Sequence, residues 1–162
     1  MSVMNVYFLR HGIAAERDEW QGADFDRPLT EEGHKRMARQ AKAMAELSLA
    51  PDVILTSPLL RAKQTATIVS GKLHPRDGLI EDERLGLDFN LDRLSGVLEG
   101  CRAAGAVMLV GHEPSLSETI GRLIGGARID LKKGALACVD VPDASVMEGT
   151  LIWLATPKIL LA

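Results

Sequence analysis

Three short apolar runs constrain this chain more than any other feature: Val3 to Leu9, Val53 to Thr56 and Ala106 to Val110. Their apolar residues follow one another almost without interruption, as in strands buried on both faces. Between the runs the spacing turns helical. Thr30-Glu31-Glu32 opens a helix with a capping hydroxyl and two carboxylates at the positive end of the dipole. Met37, Ala38, Ala41, Met44 and Ala45 carry it to about Leu47. Leu60, Ala62, Ala66 and Val69 predict a second helix, opened by Ser57-Pro58 and reaching about Leu73. A third runs from Leu91 to about Ala104. A fourth is entered through Pro114 and ended by Gly125-Gly126. Leu79 to Leu85 holds a weaker strand, and Ala135 to Val141 and Thr150 to Ala155 read as strands joined by a Pro142-Asp143 turn.

Strands alternating with helices predict an α/β fold: a three-layer α/β/α sandwich with a mostly parallel sheet. The last two strands have no helix between them, so one of them should be antiparallel. No repeat, linker or low-complexity segment interrupts the pattern. A chain of 162 residues fits one domain spanning residues 1–162, with enough core to need no disulfide or metal staple.

Composition narrows the function classes. A net charge of −3 and a pI near 5.8 give no general attraction to nucleic acid or to anionic membranes. Cys101 and Cys138 lack CxxC spacing and read as reduced, partly buried thiols. The segment MSVMNVYFLRHG lacks the basic start of a secretory signal, and no run approaches the ~18–20 apolar residues of a membrane helix. A soluble cytoplasmic protein is expected.

The chemistry gathers where strands end. Ligands of open α/β sheets bind outside the carboxyl ends of the strands. Arg10 and His11 follow the first run, His112 follows the Ala106–Val110 run, and Arg61 lies early in the helix after Val53–Thr56. Two imidazoles and two guanidiniums aimed at one edge suit a phosphoryl group. Guanidinium forks match phosphate oxygens, a helix N-terminus near Pro114-Ser115 adds N–H donors, and a neutral imidazole can attack phosphorus. Such a set stabilises transition-state charge without a metal. Two adjacent guanidiniums oppose a dication, and no HxH or HxxxH spacing exists, so a metal site is rejected and no cofactor is expected. His34, His74, Arg84, Arg122 and Arg128 read as solvated surface residues.

These residues sit in segments that together form a signature. Leu9-Arg10-His11-Gly12 resembles that of the histidine phosphatase (phosphoglycerate mutase-like) superfamily. Arg27-Pro28-Leu29-Thr30-Glu31-Glu32-Gly33, Thr56-Ser57-Pro58-Leu59-Leu60-Arg61-Ala62-Lys63-Gln64-Thr65-Ala66 and Val110-Gly111-His112-Glu113-Pro114 extend the resemblance in order across residues 1–125. The resemblance implies that His11 is the nucleophile, phosphorylated on Nε2. It implies that Arg10, Arg61 and His112 complete the phosphate pocket, with Gly12 turning tightly beside the phosphate and Ser57 orienting the pocket. It also implies that Gly33 lets its helix pass close to the catalytic loop.

Little chain separates Arg61 from His112, where larger relatives insert a helical cap, so an open, capless site is expected. Such a site can receive a phosphoryl group carried on another protein. The chain looks most like the short SixA-type phosphohistidine phosphatases, whose partners are phosphohistidine-bearing proteins. Two features depart from the family: Ile13 follows the RHG tripeptide where many relatives are polar or acidic, and no obvious general acid stands out. Glu81, Asp82 and Glu83 are the candidates by position, although a solvated turn is the simpler reading. An alkoxide leaving group needs such an acid far more than an imidazole does. A small-molecule phosphomonoesterase using the same pocket, or a catalytically silent phosphate-binding module, are the alternatives.

Overall fold

In the computed structural model, which describes residues 3–162, one six-stranded sheet organises the chain. Its strands are β1 (Met4–Arg10), β2 (Val53–Thr56), β3 (Leu79–Glu81), β4 (Ala106–Gly111), β5 (Leu136–Val141) and β6 (Thr150–Ala155). Their order across the sheet is β3-β2-β4-β1-β5-β6. The first four in that order are parallel, and β5 runs against both its neighbours. The expected antiparallel strand is therefore β5. A hairpin needs only a short connection, and the chain between β5 and β6 has no helix to make a crossover.

Helices cover both faces. On one side α1 (Glu31–Glu46), α2 (Leu60–Leu73) and the short α5 (Pro157–Leu160) supply Met37, Met44, Ala62, Ala66, Val69 and Leu160. These pack on Tyr7, Leu9, Ile54, Met108 and Val110. On the other side α3 (Leu91–Glu99) and α4 (Ser115–Leu123) bring Leu94, Leu98, Leu116 and Ile120 onto Val6, Phe8, Leu55 and Leu109. Neighbouring residues of β1 thus feed opposite cores, which explains its uninterrupted apolar run. Truncating fully buried Phe8 or Leu109 to Ala should cost about 3 kcal/mol.

Local chemistry sets the element ends. Thr30 Oγ1 accepts the Gly33 N–H and caps α1. α2 begins at Leu60, later than Ser57-Pro58 suggested, because Ser57 and Pro58 stay outside it and Ser57 Oγ accepts the Leu59 N–H. α3 stops at Glu99, short of Ala104, with Gly100 as its C-cap and turns beyond. The strand predicted over Leu79–Leu85 ends at Glu81, after which Asp82 caps a single 3-10 turn, Glu83–Leu85. Between Arg61 and His112 the chain is spent on the rest of α2, β3, this turn, α3 and β4, leaving no inserted cap. Cys101 and Cys138 are free thiols, and burial raises Cys138 to about 11. No helix among the described residues is long and apolar enough to cross a membrane.

Candidate active site

Sheet register brings the two motif histidines together. Arg10 at the end of β1 pairs with Gly111 at the end of β4, so His11 and His112 leave adjacent strands at the same level. Their ring centroids are 5.3 Å apart with planes tilted by 54°. Ser57 follows β2, held by its N–H to the Val110 carbonyl, and its Oγ lies 2.7 Å from His112 Nε2.

Hydrogen bonds assign the two rings different roles. His11 Nδ1 lies 2.7 Å from the Gly12 carbonyl. A carbonyl only accepts, so Nδ1 carries the proton and Nε2 keeps a free lone pair. Burial is the main force pushing the His11 pKa down to about 3, and the charges of Arg61 and Arg10 add to it, so the ring is neutral at physiological pH. His112 is also held neutral, its pKa lowered to about 4 by burial first and Arg61 second. Ser57 Oγ already accepts the Leu59 N–H at 3.2 Å, and its hydroxyl proton finds an acceptor in His112 Nε2. That arrangement puts the His112 proton on Nδ1, a buried position with no partner. One imidazole offers a lone pair and the other an N–H.

The guanidiniums are anchored by their outer nitrogens. Arg61 is 1% exposed. Its Nη1 donates to the Asp24 carbonyl at 2.9 Å and its Nη2 to Asp24 Oδ2 at 3.2 Å. Arg27 Nε donates to the other carboxylate oxygen of Asp24 at 3.0 Å, and its Nη1 to the Ala15 carbonyl at 2.7 Å. Arg10 Nη1 donates to the Leu131 carbonyl at 3.0 Å. The Nε groups of Arg10 and Arg61 are buried without partners. Partial burial alone would raise the Asp24 carboxyl, but the Arg27 hydrogen bond and the Arg61 charge outweigh it and hold it below the usual range. Asp24 stays ionised and clamps both arginines.

These side chains line a cleft of about 90 Å³. Arg10, His11, Arg27, Arg61 and His112 form its walls, joined by Glu16, Arg17, Glu113 and Lys133. An unpaired buried donor costs about 1–3 kcal/mol, so the Nε groups of Arg10 and Arg61 and Nδ1 of His112 mark a place built for an acceptor-rich guest. Cationic donors around a neutral nucleophile suit an oxyanion with an electrophilic centre.

The loop carrying His11 is tied down by the other motif residues. Thr65 Oγ1 accepts the Gly12 N–H and donates to the Arg61 carbonyl. Gln64 Oε1 accepts the Leu29 N–H, and Thr30 N–H donates to the Ile13 carbonyl. A Cβ on Gly33 would stand 2.1 Å from that same carbonyl, so only glycine lets α1 approach the loop.

Of the residues singled out in the sequence, Arg10, His11, Arg61 and His112 meet in the cleft, while Gly12 and Ser57 touch it through the two histidines. Glu81, Asp82 and Glu83 do not line it. Glu81 pairs with Lys63, Asp82 pairs with Arg84, and Glu83 is exposed in the 3-10 turn. Asp24, Arg27, Glu16, Glu113 and Lys133 were not singled out for the site, although Arg27 and Glu113 lie inside the motif segments. Glu113 accepts from the N–H and hydroxyl of Ser117 in α4. Among the described residues no group of three or more His, Cys, Asp or Glu side chains could hold a metal ion.

The profile of the histidine phosphatase superfamily (branch 1) matches residues 6–96. The chain belongs to this family, whose membership supports a phosphatase, hence hydrolase, activity. Its resemblance is to the SixA type. It is 26% identical to the protein histidine phosphatase SixA solved with tungstate, covering 96% of this chain and 98% of that one with a TM-score of 0.85. An uncharacterized protein of Picosynechococcus sp. is 36% identical over 98% of this chain and 99% of its own. The alpha-ribazole phosphatase of Shigella flexneri shares the fold at 18% identity, with a TM-score of 0.74 over 95% of this chain and 97% of that one.

Proposed function

We propose that this chain is a phosphohistidine phosphatase that needs no metal and works through a phosphoryl group held on His11 Nε2. The observation that carries this reading is the hydrogen bond from His11 Nδ1–H to the Gly12 carbonyl, which leaves Nε2 as a neutral nucleophile inside a cationic cleft. The Nε2 lone pair attacks phosphorus, a new N–P bond forms, and the substrate's P–N bond breaks with its electrons returning to the leaving imidazole. Arg10, Arg61 and His112 hold the phosphoryl oxygens. Water then attacks phospho-His11, releases inorganic phosphate and restores the neutral ring.

The leaving group favours phosphohistidine over a phosphate ester. An imidazole protonated on its other nitrogen departs neutral, whereas an alkoxide must receive a proton. Glu81 and Asp82, in the region where relatives carry a general acid, are engaged with Lys63 and Arg84 away from the cleft. Glu113 is held by Ser117. The SixA relative, a protein histidine phosphatase solved with the phosphate-like oxyanion tungstate, supports the same assignment. A phosphohistidine-bearing protein is the proposed partner.

One observation favours a second reading as a small-molecule phosphomonoesterase. Glu16 is exposed at the cleft and, among the described residues, forms no ion pair or side-chain hydrogen bond, so its carboxyl is uncommitted where an alkoxide would need an acid. A panel of phosphohistidine, phosphoserine and sugar phosphates, run with a chelator, separates the two. Turnover fastest on phosphohistidine is expected. Ester turnover that exceeds it and collapses in Glu16→Gln overturns the phosphohistidine assignment.

A further inference from the structure

Beside the phosphate cleft lies a second, wider groove of about 480 Å³. Arg10 and Lys133 line both, so the two cavities share a wall. Arg36 of α1, Lys132 from the loop before β5 and Lys158 of α5 add three more cations, and no acidic residue lines the groove. Of these three, only Lys132 has an ion pair among the described residues, an exposed one with Asp130. In a chain with a net charge of −3, this is a local concentration of positive charge, offset in part by Asp130 beside it.

The groove also has apolar lining. Ile13, which departs from the polar residue common after the RHG tripeptide, lies in it with buried Pro157. No aromatic side chain lines it, so it lacks the stacking platforms of a single-stranded nucleic-acid site. Cations beside apolar lining, with no acidic residue among them, match a protein segment that presents acidic and apolar side chains together.

We propose that this groove docks the acidic face of the phosphorylated protein and so selects which phosphohistidines reach His11. This rests on the phosphohistidine assignment above and adds to it the charge of the substrate's surroundings. Arg10 joins the two functions, since it lines both the phosphoryl cleft and the docking groove.

The test uses three synthetic phosphohistidine peptides of equal length, flanked by glutamates with an apolar residue, by neutral residues, or by lysines. The native protein should turn over the glutamate peptide about tenfold more efficiently than the neutral one, through KM, and raised salt should erase the preference. The triple variant Arg36→Gln, Lys132→Gln, Lys158→Gln leaves the phosphate cleft untouched. It should lose the preference while retaining native turnover of the neutral peptide, which also shows that it is folded. Equal turnover of all three peptides by the native protein overturns the docking groove but leaves the phosphatase assignment standing. So does a preference that survives in the triple variant. Equal turnover combined with single-stranded RNA binding that the variant loses reassigns the groove to nucleic acid. Failure of the native protein to hydrolyse any of the peptides removes both readings.

Discussion

Two charged clusters occupy the same edge of the sheet, and they are built on opposite principles. Arg10 at the end of β1 is half-buried and Arg61, early in α2, is 1% exposed, and each keeps a buried Nε without a partner. At the end of β3, Glu81 meets Lys63 in an ion pair open to solvent, and Asp82, more buried, is held by two hydrogen bonds from the Arg84 guanidinium. The first cluster carries unmet hydrogen-bonding capacity that a guest must satisfy. The second is already satisfied, and its exposed Lys63–Glu81 pair contributes little to stability. Position at the strand ends therefore does not make a site; unsatisfied, desolvated chemistry does.

This contrast predicts a graded set of mutational effects. Replacing Arg61 by Ala removes a cleft donor and leaves Asp24 paired only with Arg27 and, more distantly, Arg17, so kcat/KM should fall about 10³-fold in steady-state assays. Asp24→Asn keeps both guanidiniums but loosens their clamp. Its loss in turnover should be near tenfold, and the unfolding free energy should also fall, by about 3 kcal/mol, because the buried Arg61 guanidinium loses its carboxylate. Gly33→Ala forces a Cβ against the Ile13 carbonyl and should lower unfolding free energy by about 2 kcal/mol in denaturant titrations. Glu81→Gln, Asp82→Asn and Glu83→Gln should each change phosphohistidine turnover by less than about twofold. A large loss in any of the three would erase the distinction between the clusters.

The pH dependence separates the clusters in another way. His11 and His112 titrate near 3 and 4 when folded, against 6.5 for a free histidine. Between those values the unfolded chain binds protons that the folded chain refuses. Stability from the neutral pair is therefore complete above about pH 6.5 and is lost as pH falls toward 3. The nucleophile stays unprotonated over the same span, so the acid limb of kcat/KM attributable to His11 should fall near or below pH 4. An acid limb centred at 6.5 that is absent from the His112→Ala variant would contradict the buried neutral pair.

Much of this was legible in the residues, and the remainder was hidden for physical reasons. The uninterrupted apolar runs stop at Arg10-His11-Gly12 and Gly111-His112, and parallel register does the rest by setting Arg10 opposite Gly111. Thr30 was readable as a cap from its own chemistry, and Gly33 through the family resemblance, which implied the close approach that a Cβ would block. Asp24 was not. It sits in a polar stretch with several other acids, and only burial of Arg61 distinguishes it by requiring a carboxylate within reach. The loop before β5 was equally silent. Leu131 supports Arg10 through a backbone carbonyl, which carries no side-chain signal, from more than a hundred residues away.

The central claim is that His11 Nε2 becomes phosphorylated during turnover. Rapid mixing with a phosphohistidine peptide in the presence of a chelator, followed by an alkaline quench and mass spectrometry, tests it directly. The account predicts one phosphoryl group on His11, stable in base, labile in acid and absent from His11→Ala, which should also lose at least about 10⁴-fold in turnover. Undiminished turnover in His11→Ala, or a phosphoryl group trapped on any other residue, would contradict it.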